Sequence, residues 1–461
     1  MSPPATSAAR SRQRGGFGSV PGPRQRYPGE FALAVIRRPL ALFDGLARDF
    51  GDVAGIRIAG QPVVLVSHPD RIRDVLVTHG RLFHKGRGLE RAKMLLGEGL
   101  LTSEDEVHLR QRRLAQPAFH RARIAAYAET MSAYAARRVE QWKDGDRLDV
   151  AREMATYTLA VVGKTLFDAD IEGEAHEIGE ALTAAIDAFN LSVLPFGELL
   201  ERLPLPTTLR FRRGRERLDA TIYRLNAERR ASGEDRGDLL SMLLLAQDSE
   251  GDGGGMSDVQ LRDEAMTLLL AGHETTANLL AWTWYLLSQH PEAESRLHAE
   301  VDAVPSEQLG AEDLARLPFA RAVLSESMRL FPPAWIIGRR AMQPYRIGEH
   351  ELPSRTIVLT SQWVVHRDPR WWPEADQFRP ERWMPGGSAH DPRRPKFSYF
   401  PFGAGTRVCI GEQFAWLEGT LALATIARRW RLRLAPGARV VPQPIVTLRV
   451  RGGLPMTAHA R

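Results

Sequence analysis

The chain has 461 residues, 43% hydrophobic and 26% charged, so it can bury a sizeable core and carries the charge of an ordinary soluble protein. Sixty-two Lys and Arg against 56 Asp and Glu leave a net +6, but no basic block follows a helix or alternates with aromatics, which argues against a nucleic-acid binder. The single cysteine, Cys409, excludes an internal disulfide, a Cys-rich zinc site and a cysteine-ligated iron–sulfur cluster.

Residues 1–26 hold five Arg, no acid and Pro21-Gly22-Pro23. They lack the apolar core of a secretory signal, and are expected to be a flexible tail ahead of a single domain over 27–461. The spacing then predicts a helix over 39–50 and a hairpin of strands over 53–59 and 62–67, joined by Gly60-Gln61. Helical patterns dominate to about residue 330, with loops expected over 84–101 and 190–206 and a glycine-rich connector over 250–255. Strands return over 345–352 and 356–359 and in the final stretch. No apolar run reaches the about 20 residues a transmembrane helix needs. The expected fold class is therefore mainly α with small β-sheets in one body, in a cytoplasmic monomer.

The segment 257–289 predicts one long helix. Ser257 and Gln260 form a capping box and Pro291 follows the end. Its middle, Ala271-Gly272-His273-Glu274-Thr275-Thr276, is unusual for a core helix. An interior glycine costs about 1 kcal/mol relative to alanine, and a buried carboxylate costs more unless paired. Such penalties point either to a functional site or to a polar face with a packing glycine.

Cys409 lies in Phe402-Gly403-Ala404-Gly405-Thr406-Arg407-Val408-Cys409-Ile410-Gly411. A lone cysteine is by default a small buried hydrophobe. Here three glycines allow tight turns beside a large flat ligand, Arg407 supplies a cation, and an apolar helix starts at Glu412. A helix N-terminus favours a thiolate, and a thiolate can ligate haem iron.

The pattern Phe402-x-x-Gly405-x-Arg407-x-Cys409-x-Gly411 resembles the haem-ligand signature of the cytochrome P450 family, and the resemblance extends over residues 27–461. It implies that family's fold, with the long central helix over the haem, haem b bound through Cys409, and O2 as co-substrate. It further implies that Ala271 to Thr276 is the oxygen-activation segment, where Thr275 would hydrogen-bond dioxygen, Glu274 would relay protons and Gly272 would leave room for O2. Glu326 and Arg329, with Arg382, would form a buried structural network. His108, Arg112, Arg339 (or its neighbour Arg340) and Arg407 would hold the haem propionates, beside Phe402, Gly405 and Gly411. Met94, Phe189, Ala271, Ile336 and Val446 are the candidate substrate-pocket residues.

The activity implied is a monooxygenase that places one oxygen atom of O2 into a hydrophobic small molecule such as a fatty acid, terpenoid, steroid or polyketide. Because the resemblance fills the chain to its end, electrons are expected from a separate acidic ferredoxin and its NAD(P)H-dependent reductase, steered by basic residues such as Arg112, Arg113 and Arg407. A peroxide-driven haem-thiolate peroxygenase is the alternative, disfavoured by the Glu274-Thr275 pair. A non-enzymatic haem sensor would leave the oxygen-activation segment without a use.

Overall fold

The computed structural model describes residues 16–168, 206–248 and 254–461. Helix α1 (Glu30–Arg37) follows Gly29, whose φ is 83°. Helix α2 (Pro39–Phe50) restarts at once because Pro39 occupies its first turn, where the fixed φ and missing N–H cost nothing. Strands β1 (Val53–Ile58) and β2 (Gln61–Val66) pair antiparallel. Their turn is Ala59-Gly60, one residue earlier than the sequence pattern suggests, with φ of 49° and 82°. Two positive φ values in succession match the right-handed twist of the flanking strands.

The expected loop over 84–101 is instead mostly regular. Strand β3 (Phe83–Lys85) leads into helix α3 (Arg87–Leu96), which buries Ala92, Leu95 and Leu96. Gly97, at φ 58°, ends it, and a Cβ there would fall 2.1 Å from Oδ2 of Asp263. The 190–206 loop lies outside the described residues except at Pro206. The expected flexible tail also needs correcting. Phe17 and Val20 are 5% and 2% exposed and pack under the sheet, while the Gly55 N–H donates to the Pro21 carbonyl at 2.7 Å. Order thus begins well before residue 27.

Helices α4 (Asp105–Ala115) and α5 (Val150–Phe167) come next, the latter capped by the Asp149 carboxylate, which accepts from the amides of Ala151 and Arg152. Helix α6 (Asp258–Gln289) is the long central helix, closed at its start by the Ser257/Gln260 capping box. It is buried almost all round and runs through the core. Trp282 stacks on Phe331 with ring centroids 4.1 Å apart, and its Nε1–H donates to the Leu448 carbonyl at 2.8 Å.

Helix α7 (Pro318–Leu330) precedes strands β4 (Ile337–Ala341) and β5 (Ile357–Thr360). The five-stranded sheet has the order β1-β2-β5-β4-β3, with only β2 and β5 parallel. Helix α8 (Glu412–Arg429) begins right after the cysteine loop. Strands β6 (Trp430–Leu434), β7 (Pro442–Pro444), β8 (Leu448–Val450) and β9 (Pro455–Ala460) finish the chain, β7 and β8 as a hairpin. Among the described residues no helix is long and apolar enough to cross a membrane.

Glu326 and Arg329, both on α7 and 0% exposed, form a fork: Nε and Nη2 of Arg329 donate to the carboxylate at 2.9 and 2.8 Å. Arg382 Nε, the Arg379 amide and Trp383 Nε1 donate to the same carboxylate at 3.2, 3.0 and 2.8 Å. Arg329 Nη1 reaches the carbonyls of His366 and Ala375 at 2.8 and 2.6 Å. The network ties α7 to the segment leading to the cysteine loop, so its role is to hold that scaffold.

Candidate active site

The cysteine loop folds on its own backbone. The Cys409 N–H donates to the Phe402 carbonyl at 2.9 Å and that of Val408 to Gly405 at 3.1 Å. Gly405 has φ 72°, and a Cβ on it would lie 2.1 Å from the Leu76 carbonyl oxygen, so this glycine serves close backbone approach and is not itself on the cavity wall. Burial pushes the Cys409 thiol up to about 11, opposed by the Gly411 amide and by Arg112. A thiol so placed stays protonated until a metal ion displaces the proton.

Cys409 opens onto a cavity of about 1340 Å³. One part of its wall carries cations, brought together by strand register. Lys85 on β3 lies opposite Arg339 on β4. The alternation along β4 buries Arg339, while Arg340 points outward and pairs with Glu90, so Arg339 is the one at the cavity. His108 and Arg112, one turn apart on α4, add to the group, and Arg112 Nη1 donates to the Val408 carbonyl at 2.6 Å. Arg407 pairs with Glu104, which also accepts the Lys85 amide at 2.5 Å. Lys85 Nζ is satisfied by the carbonyls of Leu100 and Ser103, at 3.0 and 2.5 Å.

The protonation balance shows what this wall lacks. Burial, then Arg407, push Lys85 down to about 7 and Arg339 down to about 10. Burial, then Lys85, take His108 down to about 3. Glu104 and, toward Lys85, the buried Glu264 are the acids that face this group, against three arginines, so positive charge is left over that suits an anionic ligand. A flat, metal-centred macrocycle with two carboxylates suits the set, with Cys409 at the metal and Lys85, His108, Arg112, Arg339 and Arg407 at the acids. Lys85 was absent from the sequence-derived propionate set because nothing local marks it; the β3–β4 register puts it there.

Helix α6 supplies another part of the wall through Leu268, Ala271, Gly272, Thr275 and Thr276. The Thr275 hydroxyl donates to the Ala271 carbonyl at 2.7 Å. Gly272 allows α5 to approach: a Cβ there would sit 3.2 Å from Cγ2 of Val162. Glu274 points elsewhere. It is buried, accepts from Arg449 Nε at 2.5 Å and from the Thr447 hydroxyl, and is not part of the cavity wall. Its carboxylate is held by Arg449 on β8 and does not face the cavity. No local signal in the sequence marks Arg449 as its partner.

These features meet in one place: a cavity-facing thiol at a glycine loop, a cationic wall and a threonine on a long core helix. Residues 21–452 match the cytochrome P450 family. The chain belongs to the cytochrome P450 family. The chain is similar to cyclooctatin synthase of Streptomyces melanosporofaciens, 43% identical over 426 residues spanning 90% of each chain. Pentalenene oxygenase of Streptomyces avermitilis is 35% identical, over 90% of this chain and 92% of the relative. Among solved structures, the retinoic-acid-bound cyanobacterial CYP120A1 superposes with a TM-score of 0.82 at 25% identity, covering 93% of this chain and 96% of that one. This P450 is accordingly a monooxygenase of the haem-thiolate type, using O2, with a hydrophobic cavity for its organic substrate.

Within the P450 cavity, Ala271, Ile336 and Val446 line the wall, as do Phe402 and Gly411. Met94 does not; it is 42% exposed on the outer side of α3, and Leu89 from the same helix faces the cavity instead. Phe189 lies outside the described residues. The expected docking arginines are largely engaged: Arg113 bonds Asp248 at 2.9 Å, Arg407 pairs with Glu104 and Arg112 turns inward to Val408.

Proposed function

We propose that this P450 oxygenates a terpenoid, using electrons from a separate acidic ferredoxin and its NAD(P)H-dependent reductase in the cytoplasm. The observation that carries the reading is the cavity wall, where Leu89, Leu101, Val162, Leu268, Ile336 and Ile445 present aliphatic surface and no acidic residue appears among the described residues. Such a wall binds a carbon skeleton by burial, at ~25 cal/mol per Å² of apolar area. Relatives named as a cyclooctatin synthase and a pentalenene oxygenase support the terpenoid class.

When bound, the haem supplies O2 activation and the oxidising power for oxygen insertion. The chain's residues do the rest. Cys409 binds as thiolate after giving up its proton, with the Gly411 amide and Arg112 stabilising the charge. Arg112, Arg339 and Arg407, with Lys85, would neutralise the two carboxylates, and His108, uncharged, would orient them by a hydrogen bond. Thr275 holds a hydroxyl at the wall, where it can turn from the Ala271 carbonyl to donate a hydrogen bond to a reacting oxygen. The aliphatic wall orients the substrate and keeps bulk water out.

For the ferredoxin, exposed Arg121 and Arg123 support a docking face near the thiolate. They follow Phe119, whose ring lies 3.9 Å from the Cβ position of Gly411. The test is a substrate-induced spin-shift titration across terpenoids, fatty acids, steroids and polyketides, followed by turnover with ferredoxin and reductase. Terpenoids should shift the spectrum and be oxygenated. Shifts confined to the other classes would overturn the substrate reading, and turnover with peroxide alone would favour the peroxygenase.

A further inference from the structure

Between α3 and α4 the chain turns over residues 97–103, and Leu100 and Leu101 from this turn line the cavity. Side chains seat the turn on α6. The Glu98 amide donates to Oδ2 of Asp263 at 2.8 Å, and the Leu100 amide donates to Oε2 of Glu264 at 3.0 Å. From the other side Lys85 Nζ donates to the Leu100 and Ser103 carbonyls, and Gln111 Nε2 donates to the Glu98 carbonyl at 2.5 Å. The seating is close: a Cβ on Gly99 would lie 2.2 Å from Oγ1 of Thr267 on α6.

Glu264 is 0% exposed and is not itself on the cavity wall. It shares one stripe of α6 with Leu268, Ala271 and Thr275, which follow it at helical spacing and do line the cavity. One of its oxygens holds Leu100; the other, Oε1, has no hydrogen-bond partner among the described residues. A buried carboxylate with an unpartnered oxygen is costly to keep ionised. Burial accordingly pushes the Glu264 carboxyl up to about 7, opposed by the Leu100 amide and by Lys85 and aided by Asp263. The charged groups that face it are therefore Asp263 on its own helix and Lys85 on β3, and Lys85 in turn faces Arg407, Glu104 and Arg339. Both protonation states are accessible near neutral pH, and only the ionised one gives Leu100 a charge-assisted hydrogen bond.

We propose that Glu264 is a positioning residue: its carboxylate clamps the 97–103 turn onto α6 and so sets where Leu100 and Leu101 meet the substrate. It touches no reacting atom and acts through the Leu100 amide. Acidification protonates the clamp and loosens the turn, so substrate binding weakens as pH falls and, by linkage, releases a proton. The proposal rests on the terpenoid reading only for the choice of probe.

The first measurement uses no substrate. Hydrogen exchange of the Leu100 amide in haem-loaded protein, corrected for intrinsic exchange, is followed from pH 8.5 to pH 5.5. Protection should fall roughly fivefold, the difference between a charged and a neutral hydrogen bond. Glu264→Gln keeps an acceptor for Leu100 without the charge, so its protection should stay at the acid level throughout. Asp263→Asn removes the neighbouring negative charge and should move the transition to lower pH, which decides the matter if the Gln variant takes up no haem. The second measurement is a spin-shift titration with geranylgeraniol, whose affinity should fall by a similar factor over the same range and be independent of pH in Glu264→Gln. Constant Leu100 protection in the unaltered protein would overturn the proposal, as would an unchanged transition in either variant. So would a working clamp beside a geranylgeraniol affinity that ignores pH. A missing spin shift at every pH counts against the terpenoid reading alone, and the exchange measurement then decides the clamp.

Discussion

Thr275 and Glu274 are adjacent in sequence and face different surroundings, since neighbours on a helix point about 100° apart. Thr275 is on the cavity wall, and Glu274 is tied to Arg449 and Thr447. Thr275→Ala should therefore preserve the CO-bound spectrum while diverting NAD(P)H-derived electrons to peroxide, read as peroxide formed per NAD(P)H consumed. Arg449→Met is expected to cost roughly 3 kcal/mol in denaturant unfolding, because it leaves Glu274 a buried carboxylate without its cation. His273, next to this pair, gives a pH signature. Burial takes it down to about 4, so between about 4 and 6.5 the unfolded chain binds a proton that the folded one does not. Stability must then fall on acidification through that window, by up to roughly 3 kcal/mol at 1.36 kcal/mol per pH unit. Comparing urea midpoints at pH 7 and pH 5 for the protein and for His273→Asn checks this: the variant should lose less.

At the scale of elements, the cysteine loop and the Glu326 network make sharper demands than helix propensity does. Gly405→Ala would place a methyl group 2.1 Å from the Leu76 carbonyl oxygen at a φ of 72°. The expected result is loss of haem incorporation, seen as a missing Soret band in purified protein. Glu326→Gln is expected to cost about 3–5 kcal/mol, since it leaves the fully buried Arg329 without its charge partner. These elements were legible because their signals are local: the glycine spacing around Cys409, Ser257 with Gln260, and Pro39 at a helix start all act within a few residues. Helix α3 was missed because its polar residues and flanking glycines resemble a loop, and its apolar side gains meaning only against α4 and α6. Choosing Arg339 over Arg340 needed the pairing of β3 with β4, a contact between segments more than 250 residues apart.

For the molecule as a whole, the surplus of buried cations makes the cofactor part of the fold. Haem loading should raise the thermal midpoint strongly, and Arg339→Gln should shrink that gain, as measured by calorimetry with and without haem. The mainly helical character with small sheets was readable from the helical patterns that dominate to about residue 330. The cavity's extent was not, because its wall is assembled from the corner of α1 and α2, the centre of α6 and the C-terminal hairpin. Likewise the order at Phe17 and Val20 depends on a sheet formed by much later residues.

The β7–β8 hairpin joins several of these parts. Leu448 accepts from Trp282, Ile445 accepts from Trp335, Arg449 holds Glu274, and Val446 lines the cavity. An engineer who grafts residues 441–451 from a relative to alter selectivity would therefore also replace the anchor of the buried Glu274. Substrate preference and core stability are inherited together through this one short segment, and libraries confined to it will find them hard to vary apart.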